Sequence, residues 1–493
     1  MNTERRLLWL AAALLWLMWL LPGCADTKSK AVHPLPSVLD VGTLYSPTSF
    51  FILHNDTMGY DYDRICDFAR SKGITLRWHV ADNMATLINW LKTDVVQVLA
   101  YEIPITAEYR KQVHNCGAAN VTYQVLIQPA GDSVLTDVTQ LVGRDVYVEK
   151  GSRYESRLRN LDNELGGGIR IHTFTPDTLM PEDLIEKVAC GELPLTVVDS
   201  DIAQLGHTYV DSVDISLRVS FGQRSSWAVS HSNRWLGDSI DAWAKSRNAQ
   251  AYSKTALRRY FEISKHGQHT PADSDTVYVT PPGAISPFDS LFRHYGNKGD
   301  FDWRLLAAIG YVESAFDPHV ESWAGARGIM QLMPSTAKVY GVPIEQIEQP
   351  EANICAAVKC LNDLRDMFKS RIESDSERLK FILASYNAGA GHVIDAIELA
   401  RKYDKDPELW DENVEECILW KSKPQFYNDS VCHFGYCRGK ETVEYVAKVE
   451  QQYLYYKNKF DADSVTTKHK KKHHEKNKNR RRSGAGHGRA ASS

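Results

Sequence analysis

The chain has 493 residues, 43% of them hydrophobic and 24% charged, with a formal net charge of −4. That length exceeds what one core can organise and calls for two or three domains, and the composition excludes a wholly disordered chain. The near-neutral sum hides an asymmetry. The tail from Lys468 to Arg489, KHKKKHHEKNKNRRRSGAGHGR, is strongly basic, so the body is acidic. With no aromatic residues among those cations and an acidic body, nothing in the pattern points to nucleic acid as the target.

In chain order, residues 1–23 read as a lipoprotein signal peptide. Arg5 and Arg6 precede the apolar run LLWLAAALLWLMWLLPG, and Cys24 follows it. A run of about 17 residues is also near the minimum for a membrane span. The end, LPGC, resembles a bacterial lipobox, with Cys24 the lipidation site. Residues 24–36, polar and containing proline, read as a tether. The resemblance implies an exported lipoprotein held to the membrane by its lipid anchor. Ala25 follows the cysteine where an inner-membrane retention signal has Asp, which points to the outer membrane, facing the periplasm. Eight further cysteines remain, at 66, 116, 190, 355, 360, 417, 432 and 437. Cys432 and Cys437, in the loop-like NDSVCHFGYCRG, are the local pair an oxidising compartment would join. No metal-ligand spacing with a second cluster accompanies them, and no metal or cofactor is expected.

Residues 37–263 alternate short strand-like and helix-like segments. VLDVGTL, ITLRWHV, VVQVLAY and RDVYVEKGS predict strands. YDYDRICDFARSKG, NMATLINWLKT and EDLIEKVACGE predict helices, and LPLTVVDSDIAQL repeats the alternation. This is an α/β pattern with mostly parallel sheets. The segments PITAEYRKQV, QLVGRDVYVEKGSRYESRL and SSWAVSHSNRWLGDSIDAW, in this order, resemble a family 3 periplasmic solute-binding domain. The resemblance implies two lobes around a ligand cleft, a second lobe near 130–222, and crossings near VLIQPAG and RVSFGQ. It also makes Arg110 the candidate to grip a ligand carboxylate, with a bidentate geometry suited to that task. Its spacing from Thr106 is one residue longer than the family's, and a surface arginine fits the position equally. The implied ligand is an amino acid or a muropeptide.

Residues 264–285, rich in Pro, Ser, Asp and Thr, read as a linker. From 286 to 460 the pattern turns helical, through PEANICAAVKCLNDLRDMFKS, ERLKFILASYNAG, GHVIDAIELARKY and ETVEYVAKVEQQYLYYK. Residues 461–493 form the basic tail, whose composition cannot bury a core. One glutamate stands out. In DWRLLAAIGYVESAF, Leu306, Ile309 and Glu313 share a helical face. Either the stripe is rotated and Glu313 is solvated or paired with an arginine, or burial keeps its carboxyl protonated as a proton donor.

Four motifs in order bear on that choice: ESAF with Glu313, SWAGARGIMQLMPSTA from Ser322, ASYNAGAGHV with Tyr386 and Asn387, and RGKETVEYV with Tyr445. Together they resemble the SLT catalytic domain of soluble-type lytic transglycosylases. With the solute-binding segments and the lipobox, the whole chain resembles the F family of murein lytic transglycosylases. The resemblance implies a mostly α, lysozyme-like domain after a two-lobed α/β domain. Its implied substrate is the peptidoglycan glycan strand, and its implied product is a 1,6-anhydro-MurNAc end. Glu313 would be acid and then base, with Ser322, Met330, Gln331, Tyr386, Asn387 and Tyr445 binding substrate. A turn serine fits position 322 and a core tyrosine fits position 445. Two alternatives stand beside this reading: a lysozyme-type muramidase, which would use a second carboxylate such as Asp317 or Glu321, and a solute- or muropeptide-binding lipoprotein with a wall-binding helical module.

Overall fold

The computed structural model describes residues 35–175, 179–265 and 278–459. The signal peptide, Cys24, most of the tether, much of the linker and the basic tail lie outside the described residues. Two five-stranded sheets build the first half. One has the order β4(Thr75–Ala81), β1(Val38–Leu44), β5(Val98–Pro104), β12(Gln223–Val229), β6(His114–Thr122). The other has the order β11(Val213–Asp214), β7(Gln124–Pro129), β10(Thr196–Asp199), β8(Asp145–Glu149), β9(Arg170–Phe174). This is the expected two-lobed α/β architecture, and each lobe has its own apolar clusters.

The sheets are mixed rather than mostly parallel. β1 runs parallel to β4 and β5, but β12 is antiparallel to both β5 and β6, and β7 is antiparallel to β10. The first crossing between lobes falls at Thr122–Gln124, so the apolar run VLIQP is a strand of the second lobe and not the crossing itself. The second lies between Asp214 and Gln223, as expected. β6, with the sequence HNCGAANVT, carries too little β-branched character to announce a strand. Its sheet neighbour β12 and the helix Arg234–Ala244 enforce it.

A small hairpin, β2(Phe51–Leu53) and β3(Asp56–Met58), leaves the first lobe. His54 and Asn55 at its tip both have positive φ, 51° and 65°, the backbone of a tight two-residue turn in which Asn is tolerated. Residues 278–459 are helical, with isolated bridges but no named strand. The helices Asp289–Gly299, Trp303–Ser314, Pro350–Lys369, Asp375–Ala388 and Ala390–Lys402, with the helix spanning 439–459, enclose one apolar core. All eight described cysteines are free thiols, so the expected Cys432–Cys437 pair is not formed. Cys437 is buried in the helical core, whereas Cys432 packs against its edge. No helix among the described residues is long and apolar enough to cross a membrane.

The halves are in intimate contact. Phe51, Met58 and Tyr260 of the first half share an apolar cluster with Ala324, Met333 and Tyr436 of the second. Arg259 donates to the carbonyls of Trp323 and Ala324 at 3.1 and 2.5 Å. From the second lobe, Glu186 pairs with Arg438 at 2.6 Å and also with Lys440.

Candidate active site

The helix Trp303–Ser314 explains the odd glutamate. Asp302 caps its start, accepting from Arg304 N, and every residue from Leu305 to Gly310 is buried. The helix stops at Ala315, whose φ is 50° and whose N–H closes back on Tyr311 O at 2.8 Å. A left-handed cap without glycine is strained and holds only where its surroundings impose it. Glu313 therefore stands in the last helical turn, where unsatisfied carbonyls make the helix end negative and disfavour a carboxylate. The residue keeps a partly exposed surface, yet burial of the carboxyl pushes its pKa up to about 8, with Tyr445 pulling it down. Burial is the first cause acting on this carboxyl. Asp317 accepts from His319 N at 2.9 Å, and Glu321 pairs with Arg327 at 3.0 Å.

The structure brings most of the four motifs around this carboxyl. Tyr445, buried on the helix spanning 439–459, lies near Glu313, and burial together with the Glu313 charge raises its pKa well above the usual value. Tyr386, on the helix Asp375–Ala388, feels the same charge and donates to Met330 O at 2.7 Å. Asn387 accepts from Thr442 Oγ1 at 3.0 Å, which ties the third motif to the fourth. Gln331 has φ 46° and donates to Val320 O and Gly328 O, both at 2.9 Å. Ser322 closes a turn, its Oγ accepting from Ala326 N at 3.0 Å, which leaves its hydroxyl proton available. Met330 is displaced from the expected cleft wall. Its side chain is 0% exposed, packed where Gly310 leaves room, and its carbonyl accepts from Tyr386. Arg110 lies far along the sequence from this cluster, exposed on the short helix Ala107–Gln112 of the first lobe.

The first lobe reaches this site. The hairpin tip lies on the YNAG turn: His54 N donates to Ala388 O at 3.1 Å, and a side chain at Gly389 would meet Asn55 within 3 Å. Ser335 Oγ donates to Asp56 at 2.6 Å, and His392 Nε2 bonds Ile52 O at 2.9 Å. Hairpin tip, Gln331, Ser335, Tyr340 and Tyr386 together line a cavity of about 450 Å3.

Comparison with known proteins agrees with this geometry. The family described as Transglycosylase SLT domain matches residues 290–409. A membrane-bound lytic murein transglycosylase F of Pseudomonas fluorescens (strain Pf0-1) is 30% identical over 450 residues, covering 90% of each chain. The chain belongs to this family. Another member, from Desulfosudis oleivorans, is 29% identical over 413 residues, 83% of this chain and 88% of that one. As a lytic murein transglycosylase the chain acts on peptidoglycan. Among solved structures, an ancestral arginine-binding protein bound to arginine is similar to it at 20% identity and a TM-score of 0.35, over 46% of this chain and all of that one. Substrate-binding domain 2 of Lactococcus lactis GlnP gives 16% identity and a TM-score of 0.40, over 47% and 97%.

Two features of this transglycosylase escaped the sequence reading. One is the hairpin FILHNDTM, whose HND tip has no glycine to mark the turn. The other is Asn353 of PEANI, a buried asparagine inside an ordinary helical pattern, whose role depends on a loop more than twenty residues upstream. In the first half, burial and Asp61 push Glu102 up to about 7, with Asp201 of the second lobe also acting on it. The two lobes thus face each other through carboxylates that motif reading did not single out.

Proposed function

We propose that Glu313 carries the chemistry, and that the first half of the chain is a ligand-sensing module controlling access to it. The observation that supports the first part is the desolvated carboxyl in the last turn of an apolar helix, raised to about 8. Such an acid is still protonated at neutral pH and can protonate the glycosidic oxygen between MurNAc and GlcNAc. The substrate's own N-acetyl oxygen then bonds to the anomeric carbon as the leaving sugar departs. The Glu313 carboxylate next takes the proton of the sugar's 6-hydroxyl, whose oxygen displaces the N-acetyl group and leaves a 1,6-anhydro end. A raised acid and the substrate's own N-acetyl group suffice for this one-carboxylate route, whereas a muramidase would use a second carboxylate such as Asp317 or Glu321. Ser322, Gln331, Tyr386, Asn387 and Tyr445 hold the substrate in this reading, and Met330 contributes through its peptide. Mass spectrometry of products from purified peptidoglycan tests the route: anhydro ends lack the water that a hydrolase adds, and reducing ends alone would overturn it.

The sensing part rests on the hairpin lying against the YNAG turn and on the ion pairs of Glu186 with Arg438 and Lys440. A ligand that binds one lobe arrangement better than another shifts the hairpin with it. An amino acid or muropeptide with a carboxylate for Arg110 is the ligand class this reading names. Domain limits follow as 37–263 for the sensing module, 264–285 for the linker and 286–460 for the catalytic domain. Residues 1–23 are removed and Cys24 is acylated, which anchors the enzyme in the outer membrane with its domains in the periplasm. Cys24→Ser should give an uncleaved or soluble form, and unchanged processing and fractionation would contradict the anchor.

A further inference from the structure

The turn Arg327–Gln331, which links two of the motifs, is held by side chains from three helices. Ser314, next to Glu313, donates to Ile329 O at 2.8 Å. Tyr386 donates to Met330 O at 2.7 Å. Asn353 grips the turn from below: its Oδ1 accepts from Met330 N at 2.8 Å, while its Nδ2 donates to Arg327 O at 3.1 Å and Ile347 O at 2.7 Å. Asn353 is 0% exposed, and Gly328 has no side chain because a Cβ there would stand 2.4 Å from Asn353 Nδ2. A buried amide with both ends satisfied fixes its partners strongly, since any displacement leaves polar groups unpaired.

The Met330 peptide is the pivot, with Asn353 holding its neighbourhood on one side and Tyr386 bonded to its carbonyl on the other. A tyrosine hydroxyl has one proton to give. Because the Met330 carbonyl takes that proton, the Tyr386 hydroxyl turns its oxygen lone pairs, not its proton, to its remaining surroundings, which include Glu313. We propose that Asn353 is a positioning residue for Glu313: by clamping the Arg327–Gln331 turn it presents the Met330 carbonyl to Tyr386 and so keeps the Tyr386 proton from the Glu313 carboxyl. This inference rests on Glu313 being the proton donor. Among the titratable groups facing that carboxyl are Tyr445 from the helix spanning 439–459 and Tyr386 from the helix Asp375–Ala388, with Cys360 of the helix Pro350–Lys369 facing Tyr386 in turn. Loosening the turn frees the Tyr386 hydroxyl to donate to the carboxylate. A new donor to the charged form lowers a carboxyl pKa.

The test follows the protonated-carboxyl infrared band of Glu313, assigned by difference against Glu313→Gln, through a pH titration of the full chain. Asn353→Ser should lower the midpoint by about one unit. In the Asn353→Ser, Tyr386→Phe double variant the midpoint should return to that of Tyr386→Phe, because no hydroxyl remains to be redirected. A midpoint unmoved by Asn353→Ser, or lowered equally without the Tyr386 hydroxyl, overturns the proposal. Should Asn353→Ser not fold, Tyr386→Phe alone decides. If the hydroxyl is committed to Met330, its loss does not raise the Glu313 midpoint, whereas a rise means that Tyr386 already donates to Glu313. The band is read without turnover, so failure here is separate from failure of Glu313 as the acid, which shows as retained activity in Glu313→Gln.

Discussion

In the proposed reading Glu313 owes its raised pKa to two local causes, burial on an apolar helix and the negative end of that helix, against the pull of Tyr445. Its folded pKa of about 8 lies above the ordinary 4.5. Below pH 4.5 both folded and unfolded chains hold the proton, so the group has no effect on stability. Between 4.5 and 8 unfolding releases the proton, so stability falls as pH rises, and above 8 the full cost is present. Glu313→Gln, which is neutral throughout, should therefore melt higher than the wild type at pH 8.5, by up to a few kcal/mol of stability, with the gap closing towards pH 4.5. Thermal melts of both chains across that window check the claim, and a gap independent of pH would contradict it. The same carboxyl predicts that turnover falls on the alkaline side as pH passes through about 8, where the donor proton is lost. In the sequence Glu313 was singled out by its place in an apolar stripe together with the three motifs that follow it, since the stripe alone fits a solvated carboxylate as well. Asn353 was not, because a polar residue inside a helix is ordinary until the loop it holds is known. Met330 was misread as cleft wall because its neighbour Gln331 bends the chain left-handed and sends the methionine into the core.

At the scale of elements, the hairpin Phe51–Met58 and the second-lobe helix Pro181–Ala189 are two of the places where the first half holds the helical half, beside Arg259. Glu186→Lys replaces the attractions to Arg438 and Lys440 with repulsions between like charges. We expect several-fold higher turnover of purified peptidoglycan by the full chain, with secondary structure unchanged by circular dichroism. Unchanged turnover would mean that this pairing does not restrain the enzyme. The long helices and the β-branched strands were readable from periodicity. β6 and the hairpin were not, because pairing partners rather than local propensity impose them. The antiparallel return of β12 was equally invisible, since neighbours in a mixed sheet are set by topology and not by any one strand's pattern.

For the whole molecule, two halves with separate cores share an apolar interface, and in the proposed sensing role a ligand in one alters the other. Calorimetry should detect an amino acid or muropeptide on the full chain, weakened by Arg110→Ala. The same ligand should alter turnover of the full chain but not of a fragment starting near residue 286. An equal effect on both, or none on either, would remove the sensing role. The central claim is nonetheless the acid itself. Its most direct test is the release of 1,6-anhydro muropeptides from purified peptidoglycan by the full chain and by Glu313→Gln, side by side with pull-down on the same material. The account predicts a fall in release of about 10²- to 10⁴-fold with wall binding retained, and release near the wild-type rate would contradict it.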